Sequence, residues 1–296
     1  MNKIVLCIDF NNVVFMSYYS QPLLNSKNMN VNAIKGFFYK LKSYIETFNP
    51  THIVVCNDIS RSKTFRRKMY KAYKSQRKES DPDIVLQMEY VSRLISLLGI
   101  PIINNELYEA DDLLGMISRL VSENMEDTDT VIVSSDRDLY QLIDDHTFIM
   151  NPKNGEIIDS YWLEDNYKLT PDQWIELKML QGDRGDNIPG IPGIGEVSAL
   201  RLITEYNDIE NVYKHLNQVK PKISDLLIRH KDDLDLMRKL VTIVTDYKLL
   251  DLNLDMLKMK DPIASEILLI LNELELYSLI NIFNYDLIPY NGKTIE

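Results

Sequence analysis

Apolar residues along the chain follow two alternating rhythms. Three short runs rich in branched side chains, Ile4–Ile8, Ile53–Cys56 and Val131–Val133, have the length of buried strands. Between them, apolar positions recur at the spacing of a helix face. One set is Ala33, Ile34, Phe37, Phe38, Leu41, Tyr44, Ile45 and Phe48; a second is Ile84, Met88, Val91, Ile95 and Leu98; a third is Leu113, Leu114, Ile117, Leu120 and Val121. This alternation predicts an α/β fold, a mostly parallel central sheet with flanking helices. From about Thr170 the pattern is helical alone, opened by the helix-start signature Thr170-Pro171-Asp172. The chain therefore reads as an α/β part, residues 1–170, and a helical region, residues 171–296.

Each strand-like run is followed by an acid: Asp9, Asp58 and Asp136. Open parallel sheets bind ligands beyond the carboxyl ends of their strands, so three carboxylates distant in sequence are expected at one crevice. More acids stand nearby in the pattern. Glu109-Ala110-Asp111-Asp112 opens the third helix, Ser135-Asp136-Arg137-Asp138 follows a strand, and Asp183 and Asp186 lie three apart in a Gly-rich turn. An acid at a helix start is ordinarily a cap, and an Asp in a turn ordinarily bonds its own backbone. Nine of them at strand ends and helix starts point beyond capping. Oxygen donors without His or Cys suit Mg²⁺ or Mn²⁺, and a cluster of this size suits two ions acting on a phosphodiester.

A net charge of −11 argues at first against a polyanionic partner. Its distribution reverses the argument, because residues 61–78 hold nine Lys/Arg and no acid. Within that stripe Arg66, Tyr70, Tyr73, Lys74 and Arg77 fall on one face of a predicted helix, able to hold phosphates and stack on bases. The bland alternative is a solvated helix face. Residues Ile188-Pro189-Gly190-Ile191-Pro192-Gly193-Ile194-Gly195 join two helical patterns. They read as a helix–hairpin–helix spanning about 172–207, whose glycines let backbone N–H groups approach a phosphate; the alternative is an ordinary tight turn. No apolar run approaches the roughly 20 residues of a membrane span, and the N-terminal run is too short for a signal peptide. Cys7 and Cys56 lie in strand-like runs, and the four histidines lack zinc-ligand spacing. A cytoplasmic protein without membrane contact is expected.

Together these residues resemble the 5′ nuclease (flap endonuclease) family, in particular the 5′ nuclease domain of bacterial DNA polymerase I and stand-alone phage relatives. The matching positions are Ile8-Asp9; Phe65, Arg66, Tyr70, Tyr73, Lys74 and Arg77; Glu109–Asp112; Ser134–Asp138; Gly182-Asp183 with Asp186–Gly190; Pro192–Gly195; and Arg238–Asp246. The resemblance implies that Asp9, Asp58, Glu109, Asp111, Asp112 and Asp136 hold a first Mg²⁺ and its waters. Asp138, Asp183 and Asp186 would build a second site, with Mn²⁺ able to substitute. Lys74 and Arg77 would act catalytically from a helical arch at about 61–98, with Arg66 and Tyr73 contacting DNA beside them. Gly193 and Gly195 would meet duplex phosphates, with K⁺ in the hairpin. The implied partner is DNA with a 5′ single strand, flap or nick, RNA–DNA primers being a further substrate, handled by a monomer in a bacterial cell or phage-infected host. No polymerase region follows, so a free-standing enzyme is expected.

Two positions depart from the family pattern. Phe10 stands where Gly is usual after the first acid, which would alter how closely DNA passes the first strand. Val197 stands where many members carry Lys, which would remove a phosphate contact. The competing readings are a catalytically weak DNA-binding relative and a metal-dependent ribonuclease of similar α/β fold. The first would be expected to lose carboxylates, and the second usually lacks the hairpin.

Overall fold

The computed structural model describes residues 2–20, 22–59 and 62–287. Strand β1 (Lys3–Asp9) leads into helices α1 (Phe10–Tyr18) and α2 (Asn32–Phe48), and β2 (His52–Asp58) follows. Next come a short helix α3 (Phe65–Met69), α4 (Pro82–Leu97), β3 (Ile102–Asn105), α5 (Ala110–Asn124) and β4 (Thr128–Val133). A 3₁₀ turn (Arg137–Leu142) precedes β5 (Thr147–Met150), β6 (Ile157–Ile158) and α6 (Ser160–Tyr167). The sheet order is β3-β2-β1-β4-β5-β6, parallel except for the antiparallel pairing of β6 on β5. The α/β expectation holds. The three anticipated strands are its central members, and β3, β5 and β6 were too short to stand out in the apolar pattern.

The helical region contains α7 (Pro171–Gln181), α8 (Glu196–Tyr206), α9 (Ile209–Lys214), α10 (Pro221–Arg229) and α11 (Leu234–Val241). Helices α12 (Ala264–Glu273) and α13 (Tyr277–Ile282) follow, ending in a π turn (Phe283–Leu287). As read from the sequence, Thr170 caps α7, accepting from Gln173 N while the Gln173 side chain returns a bond to the cap N–H.

Strand side chains alternate between two cores. Val5, Cys7, Val54, Cys56 and Ile132 pack against α5, with α7, α8 and α11 stacked beyond it. Leu6, Ile8, Ile53, Val55 and Val131 face α1, α2 and α4. That second core is closed from outside by α12 and α13, where Phe283 packs 4.8 Å from Phe38, ring to ring. The helical region thus covers both faces of the sheet. Glu275 also ties the loop before α2, accepting from Ser26 N at 2.7 Å. Helix α4, expected to form the far limb of an arch, lies in this core through Ile84, Val91, Leu94 and Ile95.

The loop carrying Asp183 and Asp186 is pinched at its base. Asp183 and Ile188 exchange backbone bonds of 2.9 and 2.7 Å. Gly182 and Gly190 cross immediately below, at φ of 71° and 57°, and a Cβ on Gly190 would collide with the Gly182 backbone. Gly190→Ala is therefore expected to cost at least about 2 kcal/mol, from left-handed strain plus overpacking. Urea unfolding checks this; a midpoint equal to wild type would mean that the crossing has room.

Candidate active site

The carboxyl ends of β1, β2 and β4 and the start of α5 meet at a cleft of about 920 Å³. Six of the nine acids line it: Asp9, Asp58, Glu109, Asp111, Asp136 and Asp186. Of the inner four, Asp9, Asp58, Asp111 and Asp136, three are set by neutral donors. Asp9 accepts from Ser134 Oγ at 2.8 Å and Asn12 N at 3.1 Å. Asp58 accepts from Ala110 N at 2.6 Å and Asn11 Nδ2 at 3.1 Å. Asp136 caps the 3₁₀ turn through Asp138 N, and Ser135 is held by Asn12 Oδ1 at 3.1 Å.

Among the described residues, none of Asp9, Asp58, Asp111 and Asp136 has a Lys or Arg in ion-pair contact. Burial pushes the Asp9 carboxyl up to about 7, opposed by Ser134 and Asn12 and reinforced by Asp58 and Asp136. Asp111 is driven well above the ordinary range, first by burial and then by Asp136 and Asp9. Oxygen-only donors repelling one another without a basic partner fit a hard dication. These acids line an open cleft, and among the described residues no three metal-ligating groups close into a ready cage.

The remaining acids carry cations of the chain's own. Glu109 receives Lys74 Nζ at 2.6 Å and Tyr73 Oη at 2.6 Å. Asp186 receives Arg77 at 2.5 Å, Tyr73 Oη at 3.0 Å and, more distantly, Lys74 at 3.5 Å. Burial disfavours the Lys74 charge, but Glu109 and Asp186 outweigh it and raise the ammonium above its usual range. Asp138 and Asp183 share Lys178 at 2.5 and 2.7 Å. Their carboxyls respond oppositely. Burial and neighbouring Asp136 push Asp138 up to about 6 despite the lysine, whereas at Asp183 burial is outweighed by Lys178 and the carboxyl is lowered.

Several site expectations need correction. Asp112 is fully buried and turned away from the cleft, clasping Arg66 through two bonds of 2.6 and 2.7 Å. It also accepts from Glu109 N and Val244 N, which leaves it unsuited to a metal ion. Arg66 is 3% exposed and donates to Leu240 O and Thr242 O as well, so it joins the start of α5 to the end of α11 rather than meeting DNA. Tyr73 is likewise buried, its hydroxyl engaged by Glu109 and Asp186, and offers no ring for stacking. Phe10 points into the core beside Phe37, 6.1 Å away, and does not border the path past β1.

The basic stripe is not one helix. Helix α3 stops at Met69, Tyr70 is extended, and Lys74 sits at φ 50°. A run of cations without acids at helical spacing has no side-chain pairs to sustain a helix. Tertiary bonds replace them: Lys74 N donates to Asp186 O, Asn187 Nδ2 to Ala72 O, and Gln76 Nε2 to Arg184 O. Lys74 and Arg77 still reach the cleft, through turns. Arg61, the first residue of the stripe, lies outside the described residues.

Gly193, at φ 95°, and Gly195, the cap of α8, line a second depression with Gly182, Asp183 and Lys178. Val197 is 84% exposed on the first turn of α8. Sequence reasoning missed Asn11, Asn12 and Lys178. The asparagines were signalled by their place just after Asp9; Lys178, inside a helical pattern, had no signal. It also missed Phe15 and the exposed Tyr19, which line the cleft mouth.

This fold and cleft are those of a nuclease: the chain belongs to the 5′–3′ exonuclease family. Residues 4–168 match its N-terminal, resolvase-like domain and residues 169–265 its C-terminal SAM fold. DNA polymerase I of Thermus thermophilus is 33% identical over 94% of this chain, and that of Bacillus subtilis 33% over 82%. The chain spans about a third of the length of these relatives. Among solved structures, the bacteriophage T5 D15 protein co-crystallised with metal ions superposes with a TM-score of 0.67 at 18% identity, covering 92% of this chain and 99% of that one. The catalytic core of Rad2 in complex with DNA substrate gives 0.60 at 16%, covering 95% and 91%. Among the described residues no helix is long and apolar enough to cross a membrane.

Two outcomes follow from these contacts. Arg66→Met strips the counterion from buried Asp112 and should cost about 3–5 kcal/mol in urea unfolding. Adding Asp112→Leu should recover much of that loss; no recovery would mean the pair is not the source. Asp9 and Asp111 hold protons more tightly folded than unfolded. They favour the folded state at acid pH, and that contribution is lost as pH rises from the ordinary 3.8 through about 7. In EDTA, Tm should therefore fall between about pH 5 and about pH 8, and Mg²⁺ should restore it more at the higher pH. A magnesium effect independent of pH would break the link to these carboxyls.

Proposed function

We propose that this chain is a metal-dependent 5′ nuclease that hydrolyses DNA phosphodiesters at free 5′ ends, flaps and nicks, using two Mg²⁺ ions for which Mn²⁺ can substitute. The observation that carries this reading is the inner quartet of Asp9, Asp58, Asp111 and Asp136: four carboxylates from four elements, gathered at the strand ends and the start of α5 with no Lys or Arg in ion-pair contact among the described residues. Such a group is costly to assemble unless a dication completes it. These four suit a first ion; Asp138, Asp183 and Asp186 suit a second. When bound, the ions supply Lewis acidity toward the phosphoryl group and its attacking water.

The chain's own residues would do the rest. Lys74 and Arg77, released from Glu109 and Asp186, would hold the phosphate oxygens on which charge builds. Phe15 and Tyr19 supply the aromatic surface for a base that Tyr73 does not. The α7–α8 hairpin, with Gly193 and Gly195 and a K⁺ ion, would grip duplex phosphates. The substrate would be a 5′ flap, a nicked end or an RNA–DNA primer, met by a monomer in the cytoplasm of a bacterium or phage-infected host. The α/β part, residues 1–170, would cut, while residues 171–296 would bind duplex.

A 5′-labelled flap, sized on a gel with Mg²⁺ and with EDTA, tests the reading. Cleavage should require the metal and vanish in Asp136→Asn while DNA binding persists; metal-free cleavage or an active Asp136→Asn would refute it. Under single-turnover conditions with saturating flap, Lys74→Ala should lose roughly 10²–10³ in rate, the scale of removing one preorganised donor. Exposed Lys71→Ala should stay near wild type. Equal behaviour of the two variants would reduce Lys74 to general electrostatic attraction.

A further inference from the structure

Lys178 projects from the last turn of α7, and its Nζ is held 2.5 Å from Asp138 and 2.7 Å from Asp183. The residue is 9% exposed. Asp138 belongs to the 3₁₀ turn after β4 and Asp183 to the pinched loop after α7, so two separate elements aim carboxylates at one point. Asp186 does not join them, being engaged by Tyr73, Lys74 and Arg77. The convergence expected for a divalent ion is present at Asp138 and Asp183, with an ammonium in its place.

We propose that Lys178 is a resident cation of the second metal position, occupying it in the metal-free protein and yielding it when a divalent ion enters. The inference rests on the metal-dependent reading above. A dication entering between these two carboxylates meets the ammonium at close range, and their mutual repulsion favours binding of the second ion with the ammonium expelled. The lysine holds Asp138 and Asp183 in place when no metal is present and sets the threshold concentration at which the second position fills. Among the described residues no Lys or Arg is ion-paired to the inner quartet, so none of them stands in the way of the first ion. A lysine serving only to staple α7 to the 3₁₀ turn would stabilise the fold without competing with metal.

Mn²⁺ binding to the full chain without DNA, followed by the EPR signal of the free ion, separates these roles. The wild type should show one tight and one weaker class of site. In Lys178→Met, which keeps the apolar stem and removes the charge, the weaker class should tighten about tenfold or more, a modest fraction of a part-buried charge interaction at contact. A second measurement needs no variant. Brief acetylation with mass-spectrometric readout should find Lys178 shielded without metal and increasingly modified as Mg²⁺ fills the weaker class, while exposed Lys71 reacts throughout. Unchanged or weaker second-site affinity in a folded Lys178→Met, or acetylation of Lys178 that ignores Mg²⁺, overturns the proposal and leaves the nuclease reading standing. Failure of the wild type to bind any Mn²⁺ overturns both.

Discussion

Like charges crowded at the ends of three neighbouring strands are the constraint on which the rest of this structure depends. A parallel sheet delivers Asp9, Asp58 and Asp136 to one crevice, and α5 adds Glu109 and Asp111 at its start. Burial in such company raises the cost of every ionised carboxylate. The fold answers in concentric fashion. Outer acids receive Arg66 from α3, Lys74 and Arg77 from the turns that follow it, and Lys178 from α7. Among the described residues the inner acids have no Lys or Arg in ion-pair contact, and Asp9 and Asp58 accept from neutral donors. That pattern of paired and unpaired carboxylates is what the proposed dication site rests on.

The same counterions do the work of tertiary assembly. Arg66 joins α3 to α5 and to the backbone beyond α11, so the basic segment, the acidic helix start and the helical region are fixed by a single guanidinium. Residues 72–77 then lie against the loop at 184–187 through backbone and side-chain bonds. Cations that the chain's acids recruit for folding are thereby delivered to the rim of the cleft, where a phosphate backbone would meet them. On the proposed reading Lys74 and Arg77 would serve folding and recognition alike, whereas Arg66 and Lys178 are engaged inside the fold.

Much of this was legible in the sequence, for identifiable reasons. The central strands and α2, α4 and α5 announced themselves because burial on one face imposes a period, and the acids because strand ends are where open sheets place them. The hairpin was legible through Gly190 and Gly193, whose positive φ few other residues tolerate. What periodicity could not show was direction. Asp111 and Asp112 are adjacent, yet one faces the cleft and the other a buried arginine, because successive helix positions point about 100° apart. Nor could charge density reveal that residues 70–77 would abandon a helix for bonds to a loop over a hundred positions away. Lys178 was hidden for a similar reason: only the fold brings Asp138 within its reach.

Closure of the outer core by α12 and α13 bears on how the chain folds. Ser26 and Glu275 are 249 positions apart, yet they meet where α13 and the π turn lie across α2. Joining chain ends over such a span is not expensive at equilibrium, since each doubling of a loop adds only about 0.6 kcal/mol. Its burden is in time, because contacts between distant segments form slowly. Phe38 and its neighbours on α2 and α4 can be assembled on the sheet long before their outer cover arrives. Any species lacking α12 and α13 would leave that apolar surface open to other chains, so their docking is what closes it against association.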